Sequence, residues 1–128
     1  MYTVQNVSIL EIQLDAKNPR FILPDTGETQ DNIRKYLLEQ EDALTLTKNI
    51  AEYGGLMPGE RIVVTKEENQ YIVLEGNRRT CACQMLVNRA LIPEDFKNRI
   101  PPSVDQLVSN IRNVNVDIIP TREEARRF

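Results

Sequence analysis

The spacing of apolar residues changes repeatedly along the chain, and each change marks an element. In Val7–Leu14 they alternate, with Val7 and Ile9 on one phase and Leu10, Ile12 and Leu14 on the other. That pattern predicts a short strand buried mostly on one face. Asn18-Pro19 ends it, because the residue before a proline is pushed out of the helical region. Ile33, Tyr36 and Leu37 fall at helical spacing and predict a helix over Thr29–Glu39. A second helix is expected from about Glu41 to Tyr53, carried by Leu44, Leu46, Ile50 and Ala51. Gly54-Gly55 stops it, since glycine accepts the left-handed conformation of a C-terminal cap. Arg61–Lys66 and Tyr71–Leu74 read as the two strands of a hairpin joined through Glu67–Gln70.

Cys81, Ala82, Met85 and Leu86 give a core face to a helix expected over Arg78–Asn88. The connection that follows, with Pro93 and Pro101-Pro102, is polar and has room for a short helix at best. Val114–Ile119 alternates as a strand, and Thr121 with Glu124 three residues later fits a capping box that opens a final helix. The chain stops inside that helix, which points to a single domain over residues 1–128 taken from the N-terminal part of a longer protein. The fold class expected is α+β: a small mixed sheet of about four strands, packed helices, and a strand–turn–helix junction at its tip.

Composition narrows the chemistry. With 128 residues, 41% hydrophobic and 27% charged, the chain suits one globular core. A net charge of −3 and a pI near 5.1 exclude generic attraction to a polyanion, so any nucleic-acid or nucleotide contact must come from a local basic cluster. Arg78-Arg79 and Arg122–Arg127 are the two such clusters. The sequence has no histidine, which removes His-based acid–base catalysis, Ser-His and Cys-His nucleophile pairs and most transition-metal sites. Cys81 and Cys83, one residue apart, read as two small apolar residues of a reduced protein. No run approaches the ~20 apolar residues of a membrane-spanning helix, and Met1–Gln13 lacks the features of a signal peptide. A cytoplasmic location is the expectation, without a membrane partner.

The junction Glu75-Gly76-Asn77-Arg78-Arg79-Thr80 carries the candidate chemistry. Glycine permits a tight turn off the strand and a close approach of ligand to backbone. The helix that follows opens on free N–H groups, where the dipole also favours an anion. Arg78 and Arg79 bring guanidinium groups suited to phosphate oxygens, and Thr80 brings a hydroxyl. Two arginines at a helix N-terminus are disfavoured by the dipole, which favours a functional reason for them. The alternative is that both pair with Glu75 and other surface carboxylates.

With its order of elements, this chain resembles the ParB N-terminal/sulfiredoxin superfamily. The resemblance rests on an opening strand, the Asn18-Pro19-Arg20 turn, a helix ending Ile50-Ala51-Glu52-Tyr53-Gly54, a hairpin, and Glu75-Gly76-Asn77-Arg78-Arg79 before a helix. It covers the chain from about Val7 to the end. The resemblance implies that Gly76, Asn77, Arg78, Arg79 and Thr80 hold the phosphates of a nucleoside triphosphate, CTP as in ParB or ATP as in sulfiredoxin and the related serine kinases. It places Glu75 where it would hold Mg²⁺ or act as a base, or else order the turn by pairing with Arg78 or Arg79. Arg20 is implied near the pocket, with a surface salt bridge as its alternative. Asn77 stands where sulfiredoxin has its catalytic cysteine, which argues against sulfinic acid reduction. The second histidine-type residue of the kinases is absent. ParB's downstream Glu-Asn-x-x-Arg has only Glu123-Glu124-Ala125-Arg126-Arg127 as an approximate counterpart, and its helix-turn-helix region lies outside the chain.

Two functional classes follow from the resemblance, and a third stands beside them, a structural or protein-interaction module whose pocket has lost its ligand. One is a nucleotide-dependent switch that closes against a second copy or orders the C-terminal helix, with DNA bound by regions outside this chain, in partition, a mobile element or phage defence. The other is a small Mg²⁺-dependent NTPase (CTPase or ATPase), kinase or ParB-like nuclease using Glu75. Glu28, Asp31, Glu39, Glu41 and Asp42 read as a solvated face, with a supply of further carboxylates as the alternative.

Overall fold

The computed structural model describes residues 3–17 and 29–125. The Asn18-Pro19-Arg20 turn and Glu28 lie outside that range, as do the side chains of Glu124 and beyond, and with them the expected capping box. Five strands form one mixed sheet in the order β1-β5-β3-β4-β2. β1 (Thr3–Ser8) pairs antiparallel with β5 (Asn113–Ile119), and β5 runs parallel to β3 (Ile62–Glu67). β3 is antiparallel to β4 (Gln70–Glu75), which is parallel to β2 (Ile12–Gln13).

The strand expected over Val7–Leu14 is therefore two strands on opposite edges of the sheet. The break has a local cause. Ser8 Oγ accepts the Leu10 N–H at 3.3 Å and caps a 3-10 turn over Ile9–Glu11. Ile9 is fully buried there, whereas Leu10 is 43% exposed. The turn is pinned from across the molecule: buried Gln84 donates through Nε2 to the carbonyls of Ile9 (3.0 Å) and Ile12 (2.7 Å). Paired backbone groups are what a buried crossover requires.

The hairpin follows expectation. Glu68 (φ +51°) and Asn69 (φ +66°) form a two-residue turn with both central residues left-handed, the form that matches strand twist. Helix α1 (Gln30–Gln40) starts at Thr29, whose hydroxyl accepts the Asn32 N–H. The Gln30 amide pairs with both backbone groups of Leu14, at 2.7 and 3.0 Å, and ties α1 to the end of β2. Helix α2 (Ala43–Tyr53) is capped by Asp42 and ends on Gly54 at φ +94°, the glycine stop expected from the sequence.

Helix α3 (Asn77–Val87) has not one core face but is enclosed along most of its length. Thr80 to Leu86 are all buried, and the helix contacts α1, α2, β3, β4 and α4 (Asp105–Ile111). Cys81 and Cys83 consequently face opposite sides and are both buried free thiols. The connection after α3 is more ordered than its polar composition suggests. Arg89 donates to the carbonyls of Lys97, Ile100 and Pro101, closing a loop that delivers Ile92, Phe96 and Ile100 to the core. Each of those side chains contributes about 1.5–3 kcal/mol by burial, an upper value for a partly collapsed unfolded chain. A short helix α5 (Arg122–Ala125) follows β5.

Candidate functional site

β4 and α3 meet at Gly76, and only glycine fits there. Its φ is +101°, and a Cβ would lie 3.1 Å from the Arg61 carbonyl oxygen and 3.3 Å from two atoms of Ile62. The turn thus presses against the start of β3. It also leaves α3 without a side-chain cap: Gly76 offers none, and the first intrahelical bond runs from the Thr80 N–H to the Gly76 carbonyl at 2.9 Å. The N–H groups of Asn77, Arg78 and Arg79 therefore have no acceptor within the helix. No acidic residue stands in the first turn to offset the dipole.

Glu75, Gly76, Asn77, Arg78 and Arg79 all line one cleft of about 350 Å³. Leu37, Leu46 and Leu74 supply its apolar wall; Glu41 and Glu60 add carboxylates. Arg78 is exposed, and its guanidinium touches the Asp42 carbonyl at 3.2 Å. Arg79 is more firmly held, with Nη1 donating to the Arg61 carbonyl at 2.9 Å and Nε 2.9 Å from Glu60 Oε2. Glu75 is exposed and makes no ion pair with either arginine among the described residues. The partner taken by Arg79 is Glu60, which sequence reasoning did not single out; a lone glutamate after Pro58-Gly59 gives no signal of its own.

Two expected site residues are placed differently. Thr80 is fully buried, its hydroxyl has no partner among the described residues and its N–H is used by the helix, so neither group faces the cleft. The reason is α3's enclosure, which turns the fourth residue of the helix inward. The Asn77 side chain is committed to the fold: Oδ1 accepts the Asp15 N–H at 3.0 Å, and Nδ2 reaches the Val73 carbonyl at 3.5 Å. Arg20 lies outside the described residues. Among the described residues, no group of three or more His, Cys, Asp or Glu side chains comes together to hold a metal ion.

The Asn77 contact connects the cleft to the end of the chain. Asp15 is 3% exposed, and its Oδ2 receives Arg122 Nη1 at 2.9 Å. Arg122 also grips Glu67 with two bonds, at 2.8 and 3.2 Å. Its guanidinium is held above its ordinary range by Asp15 first and then by Glu67, against some loss of hydration. The Arg122 hydrogen bond in turn lowers the Glu67 carboxyl, more than burial raises it. Burial pushes both the Cys81 and Cys83 thiols up to about 12, Glu60 adding to the shift at Cys83. Neither is a nucleophile at neutral pH.

No protein-family model matches the chain, and no curated protein matches it in sequence. No helix among the described residues is long and apolar enough to cross a membrane.

Proposed function

We propose that the cleft binds the phosphates of a nucleoside triphosphate, CTP or ATP, and that the domain is a ligand-dependent switch. The observation that carries this reading is the start of α3. An uncapped helix N-terminus opens on Gly76, with Arg78 and Arg79 in the same cleft and an apolar wall opposite. The dipole, the free amides and the guanidinium groups all favour an anion at that point. Leu46 and Leu74, both half-buried, offer surface for an apolar portion of the ligand such as a base. Mg²⁺ fits as a companion of the phosphates. It takes one or two carboxylates and completes its shell with phosphate oxygens and water; Glu75, exposed at the cleft, has the chemistry for it.

The switch reading draws on the chain of contacts from Asn77 through Asp15 to Arg122. A ligand that tightens the start of α3 acts on Asn77, and through it on the anchor of α5. Assembly with a second copy, or contact with DNA through regions outside this chain, would then follow from how α5 is held. Calorimetric titration with CTP, ATP and GTP in Mg²⁺ tests the reading, with Arg78→Ala as control. Arg78 is the better variant because its one polar contact among the described residues is a carbonyl, whereas Arg79 also holds the fold. Binding lost in Arg78→Ala supports the proposal; binding of no nucleotide overturns it. The enzyme alternative rests on exposed Glu75, and turnover abolished by Glu75→Gln with binding retained would favour it.

A further inference from the structure

We propose that Glu60 is the cleft's internal competitor for anions: its carboxylate occupies Arg79 until a ligand of higher negative charge displaces it. The inference rests on the phosphate reading above and adds a threshold to it. Arg79 is held on two sides by one short segment, through the Arg61 carbonyl at Nη1 and the Glu60 carboxylate at Nε, each at 2.9 Å. The first is a hydrogen bond to backbone and persists whatever enters the cleft. The second is an exchangeable ion pair.

Glu60 is loosely seated for a residue so little exposed. Its side chain is 19% exposed, and Oε2 is buried without an aligned hydrogen-bond donor, so that oxygen depends on the charge of Arg79 alone. Oε1 accepts one bond, from the Met57 N–H at 3.2 Å. Arg122 shows the contrast, gripping Glu67 through two nitrogens while a third holds Asp15. Beside Glu60, no described residue lies within 4 Å of where a Gly59 Cβ would be.

The two arginines are therefore unequal. Among the described residues Arg78 meets only the Asp42 carbonyl, and it keeps its charge for a ligand. Arg79 is already neutralised. A single phosphate is served by Arg78 and the free amides of α3. A phosphate chain long enough to reach Arg79 must exchange with Glu60, and a phosphoryl group carrying up to two charges and three acceptor oxygens outcompetes one carboxylate. Glu60 thus acts as a specificity-determining residue that opposes anions long enough to need Arg79 and leaves a single phosphate unaffected.

Inorganic triphosphate and inorganic phosphate are titrated by calorimetry into the wild-type protein, Glu60→Gln and Arg78→Ala. Thermal melts of all three show that each is folded. Glutamine keeps the shape and the acceptor for the Met57 N–H while removing the charge. The expected result is triphosphate binding tightened about twofold to fivefold in Glu60→Gln, the scale of one partly exposed ion pair, with phosphate binding unchanged and the preference for triphosphate over phosphate larger by the same factor. Binding unchanged or weakened in Glu60→Gln overturns the competitor role while leaving the phosphate site intact, since Glu60 would then merely position Arg79. Triphosphate bound by neither wild type nor Glu60→Gln, or bound equally well by Arg78→Ala, overturns the phosphate reading and this inference together.

Discussion

Replacing Gly76 with alanine separates two costs that most glycine substitutions confound. At φ +101° an L-residue is strained whatever surrounds it, by about 1–2 kcal/mol. At Gly76 the new methyl also meets the Arg61 carbonyl oxygen at 3.1 Å and Ile62 at 3.3 Å. Two of those three atoms are backbone at the entry to β3, the central strand of the sheet, and cannot yield cheaply. Overpacking of that kind adds about 1–3 kcal/mol. The sum, about 2–5 kcal/mol, is a large part of the 5–15 kcal/mol that holds a typical domain. Gly54 supplies the control: its φ is +94°, yet nothing lies within 4 Å of its Cβ position. Gly54→Ala meets only the conformational cost, offset by about 0.4–1 kcal/mol from a stiffer unfolded chain. Urea denaturation of both variants gives the comparison, read as a midpoint shift at constant slope. Gly76→Ala should cost at least about 1 kcal/mol more than Gly54→Ala. Equal costs would refute the idea that close packing of the turn against β3 fixes the start of α3.

Further outcomes follow from the buried groups. Cys81 and Cys83 should resist a thiol reagent at pH 8 in the native protein and react fully in denaturant, because burial holds both near 12; fast native labelling would contradict α3's enclosure. Gln84→Leu should cost about 2–5 kcal/mol, since it removes buried bonds to the Ile9 and Ile12 carbonyls and leaves Arg34 Nη2 without its acceptor; a midpoint within 0.5 kcal/mol of wild type, a surface-like effect, would show that the crossover is held by something else. Glu67 is lowered in the folded state, so its pairing with Arg122 stabilises above its ordinary value of 4.5 and is lost as pH falls through the lower folded value. Arg122→Ala should remove that part of the acid dependence. The Glu67 contribution is at most about 1 kcal/mol, because its side chain is 36% exposed. An acid limb unchanged in the variant would exclude the pair as its source.

Local signals in the sequence carried most of the elements. The Gly54 stop, the two-residue hairpin turn and the helical spacing of Ile33 and Leu37 each reflect backbone or packing preferences confined to a few neighbours. The α+β class and the mixed sheet with packed helices follow from them. What escaped was set by distant partners. Alternation cannot show that Ser8 caps a 3-10 turn and sends β1 and β2 to opposite edges, because the bonds that hold the turn come from Gln84, 75 residues from Ile9. Thr80 reads as a loop hydroxyl until α3 is seen to be enclosed. Within the candidate site, Gly76, Arg78 and Arg79 were legible because a glycine and two cations at a helix start break local rules. Glu60 and Asp15 break none, and their importance lies in contacts with Arg79 and Arg122 that only the fold creates.

The central claim is that an anion binds on the amides that open α3. Amide chemical shifts of the ¹⁵N-labelled protein, recorded during titration with CTP, ATP and GTP in Mg²⁺, test it most directly. The account predicts that one of the three shifts the Asn77, Arg78 and Arg79 amides most, with smaller changes at Asp15 and Arg122, and that Arg78→Ala weakens the effect at least tenfold. Nucleotides that leave those three amides unmoved, or move them only alongside unrelated surface residues, would contradict it.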